Sequence, residues 1–308
     1  MNADVLAAIQ RTDALPSMPQ IVTRFFEITL EPNYRQEDII QLLSTDPGVA
    51  ADILRLANSP LFGVTRKVGS LQQAATLLGI KRIRTLVMGR CLVQGLSSTG
   101  SKLIDSSYYW RRSLATGVLA ARFADHTAPS FREEAFMTGL FSDVGIVILA
   151  RTFPQKYAPA ADAYAPRKGT ELTAVEAQCV GTTHPLVSAM VLEKWTLPER
   201  MALAVRHHHD QLLPDGLPEG VAELTCAVHA ASDIARLLCE APHADEVARI
   251  CAEAMDVVKL DVSVLKSVLT AVERDITELA GILKIDVIPS KVYGIIADTV
   301  SHMLAPTA

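Results

Sequence analysis

Apolar residues recur along this chain at intervals of three and four, the spacing that places them on one face of an α-helix. Val49, Ile53 and Leu56 share a face, as do Ile80, Ile83 and Val87, and as do Leu140, Val144, Val147 and Ile148. No strictly alternating run and no hairpin signal breaks the pattern, so an all-α fold is expected. Punctuation falls where helices need it. Asp46-Pro47 offers an N-cap acceptor followed by proline at the first helical position, where a missing N–H costs nothing. Asn58-Ser59-Pro60 closes that helix, Gly79 ends the next, and Pro198 opens another. Loops are expected at Glu31-Pro32-Asn33, over 97–101, and at Pro214-Asp215-Gly216-Leu217-Pro218. The last divides the chain into a region 1–213 and a C-terminal region 214–308. Amphipathic helices near 221–239, 264–283 and 292–304 cannot bury their faces alone, and are expected to complete or extend the preceding bundle.

Composition narrows the class. Of 308 residues, 49% are apolar and 20% charged, which excludes a disordered chain unable to offset its ordering entropy. The net charge of −5 argues against nucleic acid or an anionic membrane as a default partner. Lys81, Arg82 and Arg84 are read as a solvated helix face. Cys91, Cys179, Cys226, Cys239 and Cys251 are scattered and odd in number, the pattern of buried thiols in a reducing compartment. The N-terminus lacks a basic start and apolar run, and the apolar stretch 139–150 is short and interrupted by Asp143. A soluble, cytoplasmic protein is expected.

Candidate chemistry rests on His and Asp residues falling on separate helices: Asp143, His184, the run His207-His208-His209 with Asp210, and Asp233. Such residues can converge in a bundle core and hold a metal. His208 shares an apolar face with Met201 and Val205. Asp233 lies on a helix apolar on two sides, which allows its burial; a buried carboxylate then needs a cation, a metal or several donors. Taken singly, each has a plainer role. His207 reads as a surface residue, His184 before Pro185 as a helix N-terminal residue, and Asp210 and Asp215 as loop residues.

Several segments in order resemble the HDOD family, the HD-related output domain of bacterial signalling proteins. They are LPSMPQIV at 15–22, STDPGVAADILRLANSPLFG at 44–63, AATLLGIKRIRTLVM at 74–88, and then YYWRRSL, AFMTGLFSDVGIVIL, VEAQCVGTTHPLVSAMVLEKWTLPE and AVRHHHD. The resemblance implies a multi-helix bundle of the HD-related type, with a C-terminal helical extension packed on it, and a role in signal transduction without established catalysis. Beside the wider HD superfamily, including the HD-GYP cyclic-di-GMP phosphodiesterases, the chain departs in stated places. Arg112 stands where a ligand histidine would be. The His-Asp pair has become Ser142-Asp143, Ile146 replaces a lysine, and the GYP segment is absent. Asp143, His184, His208, His209 and Asp233 match retained ligand positions.

Serine is a poor substitute for imidazole, and a permanently protonated guanidinium cannot bind a cation at all. The resemblance therefore implies a vestigial site at Arg112, Ser142, Asp143, His184, His208, His209 and Asp233, with no catalytic residues, bound metal or cofactor expected. Arg112 is expected to take the place of the lost metal and neutralise Asp143, Asp233 or both through a bidentate pair; the plainer alternative points it to solvent beside Arg111. The function expected is a non-catalytic module whose partners are signalling proteins of a two-component or cyclic-di-GMP pathway, with no nucleic acid and no membrane. The alternatives are a metal-dependent phosphohydrolase acting on a nucleotide or cyclic dinucleotide, and a sensor that binds a nucleotide without turnover.

Overall fold

The computed structural model describes residues 3–11, 20–31, 33–59, 66–97, 101–165, 172–210, 212–240, 243–283, 285–286 and 288–303. Residues 15–19 and 60–63 of the signature segments, Pro32, residues 98–100 of the loop over 97–101, and the side chains of Leu56, Lys81, Arg82, Arg84 and Cys91 lie outside the described residues. Every regular element among the described residues is a helix, as the apolar spacing requires. Contacts divide the chain into two compact units, one of Met1–Leu15, Gly100–Thr277 and Asp286–Ala308, the other of Pro16–Thr99 and Glu278–Ile285. The division does not fall between 213 and 214, because the helix that follows that loop is packed inside the larger unit.

Helix α1 (Ala3–Arg11) belongs to the larger unit. The smaller unit contains α2 (Gln20–Leu30), α3 (Gln36–Ser44), α4 (Pro47–Ala57) and α5 (Leu71–Ser97). Asp46 caps α4 as read from the sequence, its Oδ1 accepting from the amides of Gly48 at 2.9 Å and Val49 at 3.0 Å. Asn58 closes the same helix by donating to the Leu54 carbonyl at 2.6 Å and accepting from the Val68 amide at 2.8 Å. Gly79 breaks the helical path inside α5 at φ +74°, a conformation that favours glycine. Val49, Ile53, Ile83 and Val87 are buried, so these predicted positions are core, while Ile80 at the start of its face is half-buried.

The larger unit is built around α6 (Ser106–Thr127), with α7 (Arg132–Phe141) and α13 (Val221–Glu240) packed against it. Asp105 starts α6 by accepting from the amides of Ser107 at 2.9 Å and Tyr108 at 3.1 Å. Helices α8 (Val144–Thr152), α9 (Pro154–Tyr164), α10 (Leu172–Val180), α11 (His184–Lys194) and α12 (Glu199–His207) run from α7 to the loop before α13. Helices α14 (Ala244–Val258), α15 (Val262–Leu283) and α16 (Ser290–Met303) follow. Of these α14 has no counterpart in the sequence reading, although its buried Val247, Ile250, Cys251, Ala254 and Val258 repeat at helical spacing. The stretch Pro129–Thr152 is long and apolar enough to cross a membrane by composition, yet 89% of its apolar window is buried in the protein. Its apolarity is that of two successive core helices, α7 and α8, separated by the turn at Ser142-Asp143. Of the four cysteines among the described side chains, only Cys251 is buried and the others are half-buried; all four are free thiols.

Glycine sets the separation of α6 and α7. A Cβ on Gly117 would lie 2.8 Å from the Phe136 carbonyl oxygen, and one on Gly139 would lie 2.9 Å from that of Thr116. Neither backbone can yield without parting the helices that position Asp143. Gly139→Ala is expected to cost about 1–3 kcal/mol of stability, the usual range for overpacking. Gly281→Ala, where a Cβ meets nothing within 4 Å, is expected to be neutral or slightly stabilising. Urea denaturation of both variants beside the parent checks the contrast.

Candidate metal centre

The ends of three helices of the larger unit deliver four side chains to one buried point. Asp143 lies in the turn between α7 and α8, at the N-cap of α8, but its carboxylate caps nothing there. The hydroxyl of Ser188 on α11 accepts from the Gly145 amide at 2.8 Å instead, which leaves Asp143 available to point elsewhere. His184 is the first residue of α11, fixed by the following Pro185. His208 ends α12 and His209 follows it. On α13, His229 holds this turn, its Nδ1 lying 2.8 Å from the His208 carbonyl. One ligand atom from each of Asp143, His184, His208 and His209 falls within 4.8 Å of the others.

Proton positions follow from the neighbours. His208 Nδ1 is 2.6 Å from the Val205 carbonyl oxygen, so it carries hydrogen, which leaves Nε2 as the ring atom facing the site. Nε2 lies 3.4 Å from Asp143 Oδ1. His184 Nδ1 likewise donates to the Glu176 carboxylate at 2.8 Å. Its Nε2 faces Asp143 Oδ1 at 3.5 Å and His209 Nε2 at 3.2 Å. Among the described residues, Asp143 Oδ1 and His208 Nε2 are buried without a hydrogen-bond partner. Acceptors that converge in this way call for a cation or a proton between them. The donor set, three imidazoles and one carboxylate with one imidazole backed by a second carboxylate, fits a divalent transition metal.

Electrostatics favour a positive charge, whether a proton or a metal ion, among these groups. Burial opposes ionisation of Asp143, but interaction with His208 and the charges of Arg112 and His184 outweigh it and hold the carboxyl well below its usual range. Burial also opposes charge on His184, yet Glu176 and then Asp143 overcome it and raise its pKa. His209 is pushed well below the usual range by burial and by the neighbouring His208 and His184, so it stays neutral and free to donate a lone pair.

The HDOD domain family matches residues 15–211, well over half of the chain. The chain belongs to the HDOD family. A curated relative, an uncharacterised protein of Treponema pallidum (strain Nichols), is 24% identical over 201 residues, which is 65% of this chain and only 38% of that protein. Among solved structures, an HDOD domain protein of unknown function from Geobacter sulfurreducens has a TM-score of 0.65 at 22% identity, covering 97% of this chain and 93% of that one. A presumptive phosphohydrolase from Shewanella amazonensis SB2B has a TM-score of 0.70 at 19% identity, covering 91% and 98%. These likenesses bear on the fold, which this HDOD chain shares.

The structure brings together only part of the set that the sequence singled out. Asp143, His184, His208 and His209 converge. Asp233 borders the same cleft of about 300 Å³, together with Arg112, Tyr164 and Ile146. Its side chain, however, is 42% exposed and faces His229 Nε2 at 3.8 Å; the solvent-facing side of α13 keeps it out of the buried cluster. Ser142 is buried with its hydroxyl donated back to the Gly139 carbonyl at 3.0 Å. His207 pairs with Asp210 at 2.6 Å outside the cluster and is partly covered, its side chain 17% exposed.

Arg112 differs from both of its expected positions. Its side chain is only 13% exposed, so it does not point to solvent. No bidentate pair forms either. Nε lies 3.9 Å from Asp143 Oδ2, Nη2 donates to Ser232 Oγ at 3.3 Å, and the guanidinium carbon sits 5.3 Å from the centroid of the Tyr164 ring. Anchored by Ser232 and Tyr164, Arg112 stands beside the cluster and touches the oxygen that the imidazoles do not. Sequence reasoning missed Glu176, Ser188 and His229; the one available signal was an acidic residue within the apolar stretch ahead of His184.

A group whose folded pKa is depressed adds stability that is present above its unfolded pKa and lost as pH falls through the folded value. For Asp143 the unfolded value is about 3.9, so the loss begins below roughly pH 5 and continues to strongly acid pH. Metal-free protein is expected to lose unfolding free energy more steeply with acid below that pH than Asp143→Asn. Chemical denaturation at a series of pH values measures the two slopes.

Proposed function

We propose that this HDOD protein is a cytoplasmic signal-transduction module that works by binding rather than turnover, and that its buried cluster holds a single metal ion. The reading revises the expectation of no metal. Asp143, His184, His208 and His209 would hold the ion, and the acceptor atoms converging without hydrogen bonds support that assignment. When bound, the ion would supply a Lewis acid to polarise or orient an anionic group in the cleft.

Arg112 carries the argument against a second metal. Its guanidinium lies against Asp143 Oδ2, where another cation sharing that carboxylate would have to sit. Two unit charges 4 Å apart repel by about 4 kcal/mol at the effective dielectric of a protein, and a divalent ion meets more. The charge of Arg112 favours the ionised form of Asp143, and Tyr164 and Ser232 hold Arg112 beside it. Ser142 offers no replacement ligand, and Ile146 brings no charge to the cleft. The output would pass to signalling partners of a two-component or cyclic-di-GMP pathway through the helical surface, with no part for nucleic acid or a membrane.

A second reading, metal-dependent hydrolysis of a nucleotide or cyclic dinucleotide, is favoured by the same four converged ligands. A third, nucleotide sensing without turnover, is favoured by Arg112 bordering the cleft. Protein purified without chelator is expected to carry about one equivalent of a transition metal, lost in Asp143→Ala and His208→Ala. With added manganese or iron it is expected to hydrolyse nucleotides and cyclic dinucleotides no faster than Asp143→Ala. Two equivalents of metal together with turnover abolished by Asp143→Ala would select the hydrolase. A nucleotide that raises the thermal midpoint of the parent but not of Arg112→Ala would select the sensor.

A further inference from the structure

Glu176 on α10 is a fully buried carboxylate with a complete set of partners. Oε2 accepts from the backbone amide of His184 at 2.7 Å and from His184 Nδ1 at 2.8 Å. Oε1 accepts from the hydroxyl of Tyr157 on α9. The chain reaches this arrangement through a turn after α10 that contains Gly181 at φ +74°, which brings the start of α11 back beside Glu176. One carboxylate oxygen thus grips a single residue twice, by main chain and by ring. Burying a carboxylate is costly unless it is well hydrogen-bonded, and two of these three hydrogen bonds belong to a candidate metal ligand.

We propose that Glu176 is the positioning residue of the metal centre, fixing hydrogen on His184 Nδ1 and so presenting the Nε2 lone pair to the ion. The proposal rests on the single-metal reading above. The ring is held from behind in orientation and from the main chain in position. Its Nε2 is left 3.5 Å from Asp143 Oδ1 and 3.2 Å from His209 Nε2, within the ligand cluster. Glu176 also sets the charge. Asp143 and Glu176 contribute two negative charges against one positive charge on Arg112, so a divalent ion leaves a buried net charge of one. With a neutral residue at 176 the same ion would leave two. Carboxylates that back a ligating histidine commonly raise metal affinity 10- to 100-fold.

The test uses the full chain and zinc. Glu176→Gln preserves shape and an acceptor for both His184 N–H groups, so the metal-free variant is expected to keep the thermal midpoint of the parent while its zinc affinity, by chelator competition, falls about 10- to 100-fold. The second measurement needs no variant. Nitrogen NMR of the zinc-loaded parent is expected to show His184 bound through Nε2 with a slowly exchanging Nδ1–H. Equal zinc affinity of Glu176→Gln and parent, or His184 bound through Nδ1, overturns the proposal and leaves the metal reading standing. Failure of the parent itself to take up zinc or any other transition metal overturns both.

Discussion

A carboxylate sealed inside an all-helical core has to be balanced, and the balance around Asp143 governs the site. With 3% of its side chain exposed, Asp143 has little water to stabilise its charge. One oxygen is met by Arg112 and the other by imidazole nitrogens. The arrangement is asymmetric: one side has a permanent cation, the other a set of imidazoles that can take up a proton or a metal ion. Arg112, lodged against Tyr164 and Ser232, supplies the charge on one side of Asp143, while the other side is lined by the three histidines.

The scaffold works toward that point through helix ends rather than helix faces. Asp143, His184, His208 and His209 each sit at or just beyond a terminus, where backbone groups lack intrahelical partners and side chains are free to turn. Other residues take up the capping this leaves undone. Ser188 serves α8 in place of Asp143, and His229 anchors the end of α12. The close approach of α6 and α7 through Gly117 and Gly139 then fixes where the α7–α8 turn falls.

Apolar periodicity reports burial directly, and Leu140, Val144, Val147 and Ile148 are all buried, but the repeat concealed the turn at Ser142-Asp143 that puts Leu140 in α7 and the other three in α8. The cap at Asp46 was legible because capping is local. The HDOD segments identified the family and marked Asp143, His184, His208 and His209. Long-range packing was less accessible. Asp233 shares a helix with core residues yet keeps its carboxylate half in solvent, since a stripe on a helix does not state which neighbour covers it. Arg112 was singled out by the resemblance, but its surroundings could not be read from it, because Ser232 and Tyr164 lie 120 and 52 residues away. Glu176 drew no notice, since eight residues of separation from His184 becomes contact only through the turn at Gly181. The larger unit likewise gathers residues from both ends of the chain, an arrangement that a boundary drawn at a loop misses.

Gly145 gives the site a mechanical property. An added Cβ there would fall 2.3 Å from the His184 carbonyl oxygen and 2.9 Å from its Cα, so the start of α8 and the start of α11 touch backbone to backbone, with the Ser188 hydroxyl bolted across them. Such a joint leaves no room for a side chain, so the placement of His184 at the cleft depends on the bare backbone of α8.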